Sequence, residues 1–117
     1  GNSRRFKVRF IGVDAPEIRN STYKKKGYYA TEAKEFVRCL TEGKFVRLVY
    51  DVQGRDRYQR DLAYVYLEDG TFLNAALLRG GYAMVATFPP NVRHVDYFLK
   101  LQRKARKEKI GLWAKEL

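Results

Sequence analysis

The stretch Arg9-Phe10-Ile11-Gly12-Val13-Asp14-Ala15-Pro16-Glu17 decides how the chain is read. Phe6, Val8, Phe10 and Gly12 alternate with Lys7, Arg9, Ile11 and Val13. That period near two predicts a strand over 6–13, ending in a turn from Asp14 to Glu17. Pro16 fixes its own φ and biases Ala15 away from helix, so Asp14 and Glu17 are expected on a rigid turn just past the strand end. Arg9 lies on the strand that leads there. One cation and two carboxylates are thereby presented at one strand terminus.

A second charged segment, Asp56-Arg57-Tyr58-Gln59-Arg60, runs directly into the apolar stretch Leu62 to Leu67. Arg57, Tyr58 and Arg60 are therefore expected at the start of a strand and not within the sheet. A guanidinium suits phosphate because its planar fork gives two charge-assisted hydrogen bonds at once. On the residues alone, both segments read equally as surface charge held in salt bridges.

Between and beyond these segments the pattern alternates irregularly. Polar residues from Asn20 to Gly27, with Lys24, Lys25 and Lys26 in a row, predict a basic loop. Ala33, Phe36, Val37 and Leu40 recur at helical spacing, so a helix is expected over Thr31–Glu42, capped by Thr31 and stopped by Gly43. Cys39, among those apolar residues, reads as a small buried filler. Phe45 to Val49 predicts a strand, and Leu62 to Leu67 another. The Glu68-Asp69-Gly70 turn then predicts a hairpin return over Thr71–Leu73. Asn74 is expected to cap a short helix to Leu78 that ends at Gly80 and Gly81. A strand over Tyr82–Val85 and a long amphipathic helix over Asn91–Lys109 follow, after which Leu112 and Trp113 should pack back on the core. His94 reads as a cap or surface residue. Short strands followed by helices, without regular alternation, predict an α+β fold, an antiparallel barrel of oligonucleotide-binding (OB-fold) type with helices outside.

The 117 residues suit one compact domain, 1–117. Lys and Arg number 24 against 13 acids, giving a net charge of +11 whose field attracts polyanions, nucleic acid first among them. Ribosomal proteins, heparin binders and lipid-surface domains share such a charge. No run approaches the roughly 18 apolar residues of a membrane span. A single cysteine excludes an intrachain disulfide and a cysteine-based zinc cluster. The chain starts at Gly1 with no visible targeting signal. Lys100, Arg103, Lys104, Arg106, Lys107 and Lys109 of the last helix read as a solvated face that supplies long-range attraction without contact.

Taken together, Arg9, Val13-Asp14-Ala15-Pro16-Glu17, Asp56-Arg57-Tyr58-Gln59-Arg60 and Leu62-Ala63-Tyr64 closely resemble the paired signatures of the staphylococcal nuclease family. The resemblance continues through Asn74-Ala75-Ala76-Leu77-Leu78-Arg79-Gly80-Gly81-Tyr82-Ala83 to Gly111-Leu112-Trp113. It implies a five-stranded OB-fold barrel with about three helices, and a calcium-dependent nuclease that hydrolyses DNA and RNA with little sequence specificity and leaves 3′-phosphate ends. It further implies that Asp14 and the backbone carbonyl of Ala15 hold the calcium ion. By the same resemblance Glu17 orients or deprotonates water, and Arg9 and Arg60 grip the scissile phosphate. Arg57 and Tyr58 would contact the nucleic-acid backbone, and Phe88 would stack on a base. Relatives carry a Gly-Asp-Thr segment on an earlier strand that supplies a second metal carboxylate, and none precedes Arg9. The expectation is an N-terminally truncated domain, lacking its first strand and weak or inactive alone, whose complete form is a monomer, secreted or on a bacterial surface. The alternative is an inactive nucleic-acid-binding module of the same family. A basic OB-fold domain from outside the family would not need the Asp14-Ala15-Pro16-Glu17 turn.

Overall fold

Gly12 is where the first predicted strand breaks. Its φ is +81°, and a Cβ there would lie 2.6 Å from a ring carbon of Phe98, so only glycine fits both the backbone and the space. The expected strand over 6–13 is consequently two, β1 (Val8–Phe10) and β2 (Val13–Asp14), which enter different sheets. The computed structural model describes residues 7–16 and 28–115. The remaining elements are α1 (Ala30–Thr41), β3 (Val46–Val49), β4 (Asp61–Leu67), α2 (Leu73–Arg79), β5 (Met84–Val85), α3 (Val95–Lys107) and a 3₁₀ turn over Gly111–Lys115.

β4 is the centre of a three-stranded sheet. It pairs antiparallel with β3, Val49 opposite Tyr64, and parallel with β1, Arg9 opposite Leu62. β2 pairs antiparallel with β5, Val13 opposite Val85. The fold is α+β with three helices, as expected, but the sheet is mixed where an all-antiparallel barrel was predicted. β3 pairs antiparallel with β4, the next strand in sequence, whereas β1 reaches β4 across β2, α1 and β3, and that long connection permits a parallel pair. No closed barrel forms among the described residues. The expected missing first strand and the basic loop over 20–27 lie outside them. No described helix is long and apolar enough to cross a membrane.

Tyr64, Phe98, Leu73, Leu77, Leu78 and Val13 are the largest fully buried apolar side chains. With them is Asn74, fully buried and one residue inside α2, so it is not the predicted cap. Its Oδ1 accepts from the Val65 N–H at 2.8 Å, and its Nδ2 donates to the Ile11 carbonyl at 2.9 Å. β1 leaves the sheet at Gly12, so the next rung beside β4 has no strand to complete it, and the Asn74 amide supplies that rung. Buried backbone groups must find partners, which is why a polar side chain belongs in this core.

Other predicted boundaries move for local reasons. The hairpin return over 71–73 reduces to one bridge, Tyr66 with Phe72, because Leu73 already begins α2. α1 starts at Ala30 after Tyr29, whose φ is 70°, and no side chain caps it. Its apolar stripe leaves Cys39 outside, so that thiol is exposed and is not a core filler. α3 begins four residues later than predicted, because Asn91 is engaged elsewhere. His94 provides no cap hydrogen bond and is half-buried, its ring 4.7 Å from Tyr64 and 5.2 Å from Phe72. Trp113 packs against the core as expected, 9% exposed.

Candidate active site

The parallel β1–β4 register brings the two charged segments together. Arg9 stands in β1 opposite Leu62, and Arg60 immediately precedes β4, so both guanidinium groups arise at the same end of one strand pair. Arg9 folds back over the Gly12 turn, where its Nη1 donates to the Val13 carbonyl at 2.7 Å and its Nη2 lies 3.7 Å from Asp14 Oδ1. The Asp14 side chain is 56% exposed, which leaves carboxylate lone pairs facing solvent.

Arg60 is aimed by its own loop. Asp56 Oδ1 accepts the backbone N–H groups of Tyr58 and Arg60, each at 2.9 Å, and Oδ2 accepts Arg60 Nε at 2.6 Å. Burial raises the pKa of the Asp56 carboxyl, but the hydrogen bonds from Arg60 and Tyr58 outweigh it and hold the group below the usual carboxylate value. Arg60 spends its Nε on this anchor. Its terminal nitrogens have no partner among the described residues and remain available to an anion. Arg57 and Arg60 both lie over the ring of exposed Tyr58, at 5.0 and 5.5 Å, and Arg57 Nη2 donates to its hydroxyl at 2.8 Å.

Buried Asn91 fixes the opposite wall. Its Nδ2 donates to the Gln53 carbonyl and its Oδ1 accepts the Gln53 N–H, both at 2.8 Å, tying the segment that carries Phe88 to the loop that carries Arg60. Phe88 itself is 66% exposed.

Two concavities result. One, of about 500 Å³, is lined by Arg9, Arg57, Tyr58, Arg60, Phe88 and Asn91 among others. The second, of about 240 Å³, is lined by Arg9, Asp14, Ala15 and Arg60 among others. Arg9 and Arg60 belong to both. Every predicted site residue is gathered here except Glu17, which lies outside the described residues. Gln53, Asp56 and Asn91 have no assigned role in the sequence reading. An acid four residues before Arg60 was a legible sign for Asp56, whereas nothing in the sequence marks the Gln53–Asn91 pair.

The donor set at the smaller concavity is oxygen only, the Asp14 carboxylate beside the peptide of Ala15. Such oxygen donors suit a hard cation, which completes its coordination with water or phosphate. Among the described residues no three His, Cys, Asp or Glu side chains cluster as a metal site, so the described part of the site would hold such an ion only with help from water, a phosphate or other ligands.

Residues 7–115 match the model of the family described as staphylococcal nuclease homologue. The chain is similar to the thermonuclease of Staphylococcus hyicus, 36% identical over 108 residues that cover 92% of this chain and 62% of that protein. The thermonuclease of Staphylococcus intermedius is 35% identical over 108 residues with the same coverage. The SPbeta prophage-derived endonuclease YokF of Bacillus subtilis is 34% identical over 110 residues, which cover 92% of this chain and 36% of that protein. The chain thus spans less than two thirds of the length of these relatives. With the match running from β1 to the 3₁₀ turn and taking in both arginine-bearing segments, the chain belongs to the staphylococcal nuclease homologue family.

Proposed function

We propose that this chain is a nuclease domain that hydrolyses phosphodiester bonds of DNA and RNA with calcium as cofactor. The observation that carries the reading is the wall shared by the two concavities, where Arg9 and Arg60 stand together. A phosphodiester seated on that wall meets two guanidinium groups, with Asp14 and Ala15 on one side and Arg57, Tyr58 and Phe88 on the other. Calcium, when bound, would draw charge from a phosphate oxygen at the Asp14 side.

Arg9 and Arg60 offset the charge that develops on the non-bridging oxygens as water adds to phosphorus. Asp56, already committed to Arg60 Nε, keeps that fork aimed without competing for the phosphate. Glu17, three residues after Asp14 in sequence, is assigned to take the proton of the attacking water. Breaking the P–O5′ bond then leaves the phosphate on the 3′ side, and the departing O5′ takes a proton from solvent to become a hydroxyl. Phe88 presents an exposed ring on which a nucleoside can stack irrespective of base, Tyr58 is left to contact the backbone, and arginine–phosphate contacts carry no sequence information. Little sequence preference follows.

The test is cleavage of single-stranded DNA and of RNA by the purified chain, with calcium and with chelator. Cleavage is expected with calcium only. Arg60→Gln and Glu17→Gln should each lower kcat by about a hundredfold or more with unchanged melting behaviour. Activity that survives chelation, or that neither substitution alters, sinks the proposal. Tight binding without cleavage would mark a binding module instead.

A further inference from the structure

α3 carries more cations than any other element, and the fold arranges them on one line. Its buried residues Phe98, Leu101 and Ala105 face α2 and the core. At 3.6 residues per turn, Lys100, Arg103, Lys104 and Lys107 fall on the opposite face at i, i+3, i+4 and i+7, and all four are exposed. The ion pairs of the described residues use Arg9, Arg38, Arg55, Arg60 and Arg93, and none involves these four. The row is headed by Tyr97, 42% exposed, whose hydroxyl accepts from Arg79 Nη2 at 2.9 Å. Arg79, from the last turn of α2, thus extends the row beyond α3. Asp96 is the acid on the same face, at its N-terminal end. None of these residues lines either concavity.

We propose that this face, Arg79, Tyr97, Lys100, Arg103, Lys104 and Lys107, is a second polynucleotide-binding surface. It takes the backbone of a strand whose scissile part lies in the cleft, and it rests on the nuclease reading for the identity of the polyanion. From Tyr97 to Lys107 the row is about 15 Å long, the rise over which one strand of a duplex carries about four phosphates. Unpaired lysines keep their capacity to displace counterions, which is the main source of sequence-independent affinity. Tyr97 adds a ring on which a base can stack, its hydroxyl held by Arg79. A membrane surface fits less well: a helix that lies on lipid inserts an apolar face, and the apolar face of α3 is already buried.

The experiment uses the whole chain in chelator, where no cutting occurs, with labelled single strands of about 30 and about four nucleotides. The stripe variant is K100Q/K104Q/K107Q. The control, K34Q/K44Q/R47Q, removes the same charge from exposed positions elsewhere. The stripe variant should flatten the slope of log affinity against log salt for the long strand by about two and weaken its binding more than about tenfold at low salt. Its binding of the short strand should match that of the parent, and Tyr97→Leu should weaken only the long strand, severalfold. Equal slopes for stripe and control variants would make this a general field effect and overturn the proposal. So would equal losses on both strand lengths, or a stripe variant that loses affinity for anionic vesicles while keeping the long strand. A parent that fails to bind the short strand would count against the cleft reading instead, and the slope comparison would still decide the stripe.

Discussion

The loop from Asp56 to Arg60 shows how one carboxylate organises a site. Gln59 sits at φ 65°, a left-handed conformation that costs a non-glycine residue about 1 kcal/mol. The strain persists because Asp56 holds the loop on both sides, through the Tyr58 and Arg60 N–H groups and the Arg60 Nε. The tight turn then points Arg60 at the wall it shares with Arg9. Asp56→Asn separates the two duties of this residue, because an amide oxygen still accepts the two backbone N–H groups while the amide nitrogen faces a guanidinium it cannot bind. The expected outcome is an intact fold by circular dichroism with kcat/KM on single-stranded DNA down by about ten- to a hundredfold, the effect of mispositioning a charge by about 1 Å. A rate equal to the parent's would mean that Arg60 is aimed by something other than Asp56. Arg57, Tyr58 and Arg60 were legible as a charged cluster at a strand entry because they are neighbours in sequence, and only the family resemblance attached a phosphate role to them. The Gln53–Asn91 clasp was not, since two amides far apart in the chain acquire meaning only when the fold brings them together.

α3 is fixed at its N-terminal end by a histidine packed among aromatics. His94 lies 4.7 Å from the Tyr64 ring, 5.2 Å from Phe72 and 5.8 Å from Phe98. Burial, and after it the charge of Arg93, depresses its pKa below the ordinary 6.5, against a smaller opposing pull from Asp51. The folded protein therefore holds His94 neutral where the unfolded chain would already protonate it. Stability is full above about pH 6.5 and is lost as pH falls from there towards the folded pKa, because the unfolded state binds more protons in that window. His94 is the single histidine, so no other side chain of ordinary pKa titrates between pH 5 and 7. Melting temperature should fall as pH is lowered through that range, and His94→Phe should flatten the dependence. A parallel fall in the variant would assign it to the carboxylates. The apolar periodicity foretold α1 and α3 to within a few residues. It missed the role of His94, and of Asn74 buried in the core, because propensity treats a polar residue near a helix start as a cap. Here tertiary contacts had a stronger use for both.

At the scale of the whole molecule, the fold closes where the chain's end meets the end of α2. Gly81 and Gly111 have φ of +70° and +57°, and a Cβ on either would fall on backbone atoms of the other's segment, the Ile110 carbonyl in one case and the Gly81 carbonyl in the other. Such proximity lets the Leu112 N–H donate to the Gly81 oxygen at 2.8 Å and lays Trp113 against the core with Arg106 over its ring at 5.2 Å. Gly81 was readable in the sequence as a helix stop and Gly111 as the start of the motif that carries Trp113. Their mutual contact was not, because sequence periodicity carries no information about which two turns touch. Gly111→Ala should therefore cost more than backbone strain. Gly43, at φ +71° with nothing within 4 Å of where a Cβ would lie, serves as the control, since an alanine there meets the same conformational penalty of about 1 kcal/mol in open space. Gly111→Ala is expected to destabilise by about 2–3 kcal/mol and to red-shift the emission of Trp113, the single tryptophan, under native conditions. Gly43→Ala should lose about 1 kcal/mol with unchanged emission. Equal losses and equal spectra from the two variants would show that the C-terminal turn docks without needing this glycine contact, and that Trp113 burial alone holds it in place.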